Sequence, residues 1–364
     1  MTALTMTAQP GQDTGLRPVP WRRMAWVTWR QHRAALAGVA ILLSGCAVAL
    51  GITGLRMQHA YASLVRSRCP LTGALTTSRC GRLEDAYYHA GYPLTGNVLL
   101  ATVALSAIPV LIGMFVAAPL LAREYEAGTL RFAWTQAAGR TRWVVAKLAL
   151  LGAALTAASS AFGALVSWWL AQADPLAGAS RWQPAQFGLS AVTFAAWTVA
   201  AFAAGTFAGA LIRRTVPAMA ATGAFVAALT AITYQKLDTL LVSAGPVIRR
   251  TMLLNLPVYQ PGSPPVTFLL GQAVTVSAPA GSWPLRSWIA GPRGQIIGSL
   301  PTRVLALDAQ AENHWLASNH LGLWTAYQPP GRFWLFQSVE GATGLLLAVI
   351  LSAATVWLVR RRAA

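Results

Sequence analysis

The stretch REYEAGTLRFAWTQAAGRTRWVVAK, residues 123–147, decides how this chain is read. It is a short charged patch between two apolar runs, residues 98–121 and 144–170. Each run exceeds the roughly 18–20 residues that cross a bilayer core. The patch carries Arg123, Arg131, Arg140, Arg142 and Lys147, so a hairpin made from it belongs on the cytoplasmic face, where short loops are rich in Arg and Lys.

Composition agrees with a membrane class. The 364 residues are 55% hydrophobic and 10% charged, whereas a soluble chain carries about 25% charged residues. The formal charge of +18 is scattered among apolar runs. It therefore points to span orientation and anionic headgroups, and away from a nucleic-acid partner, which would need a basic domain clear of the membrane. Lysine occurs only at Lys147 and Lys236 among many arginines, and with abundant Ala and Gly this suggests a GC-rich bacterial genome and a bacterial cell membrane. Residues 1–20 are polar, contain Pro and Gly and lack an apolar core. They read as a disordered cytoplasmic tail and not as a cleavable signal.

The expected fold is all-α integral membrane, with six transmembrane helices at 35–55, 98–121, 144–170, 187–212, 216–235 and 335–359. Basic residues cluster before the first span, in the hairpin at 122–143, at Arg213 and Arg214, and in the tail at 360–364. Both termini are thus assigned to the cytoplasm, although Arg66, Arg68, Arg79 and Arg82 sit in an outer loop. Residues 21–33 draw as an interfacial helix, with Trp21, Met24, Ala25, Thr28 and Trp29 on one arc and Arg22, Arg23, Arg30 and Arg33 on another. The other reading of this segment is a basic flank that only orients the first span. A large mixed extracytoplasmic region is expected at 236–334, between the fifth and sixth spans. Its stretches 266–276 and 296–307 fit strands or short helices, while 253–256 and 283–289 are candidates to dip into the outer interface.

Within the hairpin, Gly128 and Thr129 can start a short helix presenting Phe132 and Trp134 and ending near Gly139. Arg140, Arg142 and Trp143 would anchor the return, with Lys147 snorkelling to the interface. Such a helix either docks in a groove of a soluble partner or anchors the hairpin to headgroups; both uses favour Trp and Arg. Glu124 and Glu126 could pair with Arg residues of that partner or with the chain's own interfacial helix. Cys69 and Cys80 share the first outer loop, where an oxidising exterior permits a disulfide. Cys46 reads as a packing residue. Glu340 is the lone carboxylate in the predicted spans and a candidate for a transport pathway, since ionisable groups at membrane depth are costly. It lies near the outer end, where the other reading has it reach headgroups or bond within the outer domain. His314 and His320 lack further ligands, so no metal site is proposed. No G-x-x-x-x-G-K-[ST] loop occurs, so the chain has no such grip on ATP phosphates.

The order E-x-E-x-G-T-L (residues 124–130), W-T-Q (134–136) and R-x-R-W-x-x-x-K (140–147) resembles the coupling segment of type-2 ABC exporter permeases. The N-terminal W-x-x-x-x-x-x-x-W-R-Q-x-R, Trp21 through Arg33, resembles one bacterial subfamily of them. The resemblance implies a permease subunit of an ATP-driven exporter that is not itself an enzyme. A cytoplasmic ABC ATPase subunit, holding ATP and Mg, would dock on the helix around 129–138. Glu124, Glu126 and Arg140 are the implied polar contacts, and the chain would pair with itself or with a second permease. The outer region is longer than the family's compact loop. Two other classes stay in view: a membrane sensor or immunity protein with an extracytoplasmic ligand-binding domain, and a membrane enzyme acting on a lipid-linked substrate. The acidic residues available to the last (Glu84, Asp85, Asp174, Asp238, Asp308, Glu312) include one adjacent pair, Glu84 and Asp85.

Overall fold

Among the described residues, six helices of the computed structural model are long and apolar enough to cross a membrane. The structure describes residues 20–69, 79–92, 94, 98–128, 140–177, 182, 184–252, 266–269, 272–275, 281–291, 295, 304 and 309–361. Outside these lie the N-terminal tail, the helix expected at 129–138 with Thr129, Phe132 and Trp134, and residues 253–256. Of 296–307, only Val304 is described.

Helix α1 (Trp21–Arg66) is continuous over 46 residues, about 69 Å at 1.5 Å per residue. The boundary expected between an interfacial helix and the first span is therefore absent. Residues 21–37 contain neither Gly nor Pro, so nothing interrupts the backbone ladder there. The expected apolar arc is also divided. Met24 and Thr28 are buried, while Trp26 and Trp29 are more than half exposed beside exposed Arg30 and Arg33.

At the far end, α2 (Arg79–Gly91) packs on α1, with the Tyr61 and Tyr87 rings 5.6 Å apart. The Tyr87 hydroxyl donates to the Gln172 carbonyl at 2.6 Å. Cys69 and Cys80 are disulfide-bonded across this turn, with Cα atoms 5.3 Å apart, and Cys46 is a free thiol. The denatured, unreduced protein should accordingly take up one maleimide, and the reduced protein three. Uptake of three before reduction would exclude the bond.

The second span is three joined segments: α3 (Val98–Ile112), a π-helical turn (Gly113–Ala117) and α4 (Ala118–Glu126). Pro119, which has no N–H to donate, is the second residue of α4, just past the widened turn. Helix α5 (Arg140–Ala177) packs on α1, where Trp169 Nε1 donates to Thr53 Oγ1 at 2.9 Å. A helical turn (Pro184–Phe187) leads into α6 (Ala191–Ile212), which is apolar on all sides and buried at the centre of the bundle. Its Gly205 and Gly209 form a G-x-x-x-G stripe. A Cβ at Gly205 would meet the Gly113 carbonyl and the Ala117 side chain, and one at Gly209 the Ala118 carbonyl. Small residues on both sides let the backbones touch, which is how apolar helices associate where water provides no driving force.

Helix α7 (Thr215–Ser243) continues past the boundary expected at residue 235. Beyond it, β1 (Val247–Met252), β4 (Trp283–Ala290) and β5 (Gly322–Gln328) form an antiparallel sheet in the order β1-β5-β4. Strands β2 (Val266–Leu269) and β3 (Gln272–Thr275) pair as a hairpin, and α8 (Ala309–Ser318) precedes β5. Residues 283–289, expected to dip into the interface, instead form a strand. Their backbone pairs with β5 in a register that sets Trp288 opposite Trp324. The last span is α9 (Phe333–Arg361). Arg332, just before it, donates to the carbonyls of Ala244 and Gly245 at 3.1 and 2.7 Å and so ties the sheet's exit to the end of α7. Trp182, Phe187, Phe333 and Phe336 form an aromatic knot there, with ring centroids 5.3 to 6.2 Å apart.

Candidate functional site at the basic end of the bundle

The charged stretch that opens the hairpin sits where α1, α4, α5 and the α6–α7 turn end together. Glu124, in the last turn of α4, pairs with Lys147 of α5. The Lys147 side chain is fully buried and Glu124 is 18% exposed. The ammonium also lies 4.5 Å from the centre of the Trp143 ring, one helical turn back. Lys147 therefore does not snorkel to the headgroups as expected. A carboxylate within reach on the neighbouring helix offers an inward partner, and pairing there removes the cost of two separated charges.

Glu126 is also tied down. Its carboxylate accepts from the backbone N–H of Thr215 at 2.9 Å and from the Thr215 hydroxyl at 2.5 Å. It thus caps α7 from another helix and sets a negative charge at the positive end of the α7 dipole. The α6–α7 connection is only Arg213 and Arg214, with Arg213 in the left-handed region at φ 60°. The Arg213 guanidinium stacks over the Tyr125 ring at 5.2 Å. Three consecutive residues of α4, Glu124, Tyr125 and Glu126, therefore clasp α5, the Arg213 turn and α7 in that order. His32 of α1 is half-buried near this cluster, and its Nε2 has no hydrogen-bond partner among the described residues.

The expected residues divide clearly. Glu124 and Glu126, read as contacts for a partner or for the chain's own interfacial helix, instead have Lys147 and Thr215 as partners. Gly128 follows in the left-handed region at φ 65°, which only glycine adopts without strain, and so turns the chain out of α4. Thr129, Phe132 and Trp134 lie outside the described residues, as do the side chains of Arg140 and Trp21. Sequence reasoning missed Tyr125, Arg213, Thr215 and His32. The available signal was that one of only two lysines stands at the mouth of an apolar run, where it needs a carboxylate.

At the other end, Glu340 lies in α9, and its Oε1 accepts from Trp197 Nε1 at 2.9 Å. Gln337, one turn earlier and not singled out from the sequence, is fully buried. Its Oε1 accepts from the hydroxyls of Ser190 and Thr193, and its Nε2 donates to the Phe187 carbonyl at 2.9 Å. Gln337 thereby fixes the start of α6 against α9. Among the described residues, no group of three or more His, Cys, Asp or Glu could hold a metal ion.

No curated protein and no solved structure matches this chain. A family model described as ABC-2 membrane transporter related matches residues 40–237. The match runs from within α1 to within α7 and so contains the clasp of Glu124, Glu126, Lys147 and Thr215 and the hairpin they frame. It covers more than half of the chain, and with six membrane-length helices the protein belongs to the ABC-2 membrane transporter-related family, as a multi-pass component of permease type.

Proposed function

We propose that this chain is an exporter permease driven by a separate ATPase seated on the hairpin at 122–143, and that both termini face the cytoplasm. ATP and Mg belong to that ATPase. The observation that carries the reading is the clasp: Glu124 and Glu126, at the root of the hairpin, are bonded to α5 and α7. A push on the hairpin therefore reaches the second, third and fifth spans through charge-assisted contacts, which resist shear better than apolar ones. Exposed Trp29, Arg30 and Arg33 support a reading in which the start of α1 lies at headgroup depth. The apolar outer faces of α1 and α9 suit lipid and a second permease, either the same chain or a related one.

The clasp changes what each substitution should do. Deleting residues 129–138 removes the docking element, so the ATPase should no longer co-purify, although the permease stays monodisperse. Glu126→Gln keeps docking but loosens the cap on α7, so the ATPase should co-purify while substrate no longer stimulates its hydrolysis. Normal co-purification of the deletion variant would sink the docking reading. Normal stimulation in Glu126→Gln would sink the role of the clasp.

A further inference from the structure

A small cavity opens between α3, α6, α7 and α9, lined by Ser106, Trp197, Thr230, Thr233 and Glu340, with Leu189 and Phe194 among its apolar walls. Its volume is about 30 Å³, room for one or two water-sized groups and no more. The polar side chains around it are mostly able to accept, the Trp197 indole N–H being a donor. The Thr230 and Thr233 hydroxyls donate to the carbonyls of Val226 and Leu229, both at 2.9 Å, and the Ser106 hydroxyl to the Thr102 carbonyl at 2.8 Å, which leaves each oxygen able to accept. Glu340 accepts one bond from Trp197, and among the described residues no Lys, Arg or His pairs with its carboxylate.

We propose that this cavity binds the ammonium head of an amphipathic amine, with the amine's apolar body lying outside in the bilayer. The carboxylate and the hydroxyl oxygens of Ser106, Thr230 and Thr233 offer acceptors, and no cation is among the described residues lining the cavity. An ammonium supplies three donors and one positive charge, and it fits the volume. A carboxylate at membrane depth without a counter-ion is costly, and a cationic ligand removes that cost when it binds. Hydroxyl or carboxylate heads of the same size fail for opposite reasons: one leaves the charge unbalanced, the other doubles it. This inference takes the permease reading as its frame and names a substrate class for it. It stands apart from the clasp, which lies at the opposite end of the bundle.

The test uses the full chain in detergent and three probes of equal length: octylammonium, octanol and octanoate. Titration calorimetry on the wild type should give saturable binding for octylammonium alone. Glu340→Gln should weaken it about 10-fold or more, as expected for loss of one partner of a desolvated charge pair. Trp197→Phe keeps a ring, removes the indole donor that competes for the carboxylate, and should bind octylammonium at least as tightly as the wild type. Equal octylammonium affinity in wild type and Glu340→Gln would overturn the proposal, as would Glu340-dependent binding of sodium without the amine. A failed amine titration with normal ATPase coupling refutes this site and leaves the permease reading untouched.

Discussion

Glu124→Leu should be the most damaging single change at the basic end, costing about 3–5 kcal/mol, the range for stranding a buried charge. Lys147 is fully enclosed by α5 and its neighbours, and Glu124 is its anionic partner. With leucine in place of the glutamate, the ammonium must either lose its proton or draw water into the bundle. The Trp143 ring face at 4.5 Å compensates only in part. The double variant Glu124→Leu/Lys147→Met should recover most of the loss, because two apolar side chains of similar volume replace an ion pair at little net cost. Thermal unfolding of the purified protein in detergent reads both. If the single and double variants melt together, the charge is not what the pair contributes. If Glu124→Leu melts with the wild type, the pair is not structural. The double variant is also the sharper functional probe. It keeps the fold while removing the charged link from hairpin to α5, so under the proposed function transport should fall even where stability is restored.

Gly205→Leu should abolish recovery of a monodisperse protein. Even a single Cβ at this position collides with the Gly113 carbonyl and Ala117, both belonging to the π-helical turn. Leucine adds three further carbons, and the neighbouring groups are backbone, which cannot rotate away. The cost should reach or exceed the top of the roughly 1–3 kcal/mol range for overpacked cores. Gly209→Val should behave alike, since its Cβ meets the Ala118 carbonyl. Gly45→Ala in α1 is the control, with nothing within 4 Å of the added carbon. It should be neutral or slightly stabilising, by up to about 1 kcal/mol, because alanine holds a helix better than glycine. Size-exclusion profiles of the three variants decide the matter. Recovery of folded Gly205→Leu would mean that α6 does not pack on the π-helical turn as described.

These two predictions divide along what could be read from the chain. Six apolar runs set six spans, because a bilayer demands about 20 uninterrupted apolar residues and little else in this sequence meets that demand. The hairpin at 122–143 followed from the same count, and so did the importance of its charges. Their direction did not follow. Glu124 and Glu126 read equally well as contacts for a partner or for the chain's own interfacial helix, and only the meeting of α4 with α5 and α7 shows that they bond Lys147 and Thr215. Likewise, abundant Gly and Ala permit close helix packing but do not name the helices. The structure places close backbone approaches at Gly205 and Gly209 against the second span. Gln337 was passed over for Glu340, although it is the more buried and the more fully bonded of the two.

The sheet beyond α7 is where local pattern said least. Strand pairing joins β1 to β5 across some seventy intervening residues, and periodicity within one stretch carries no register with another. By itself, then, the sequence determined that this is a six-span membrane protein with a charged hairpin after its second span. Hydropathy and span length are properties of each segment alone. Tertiary structure decided which charges that hairpin turns inward, where the spans press together, and that a carboxylate with no cationic partner among the described residues lines a small cavity. Each of these depends on groups from different helices arriving at one point.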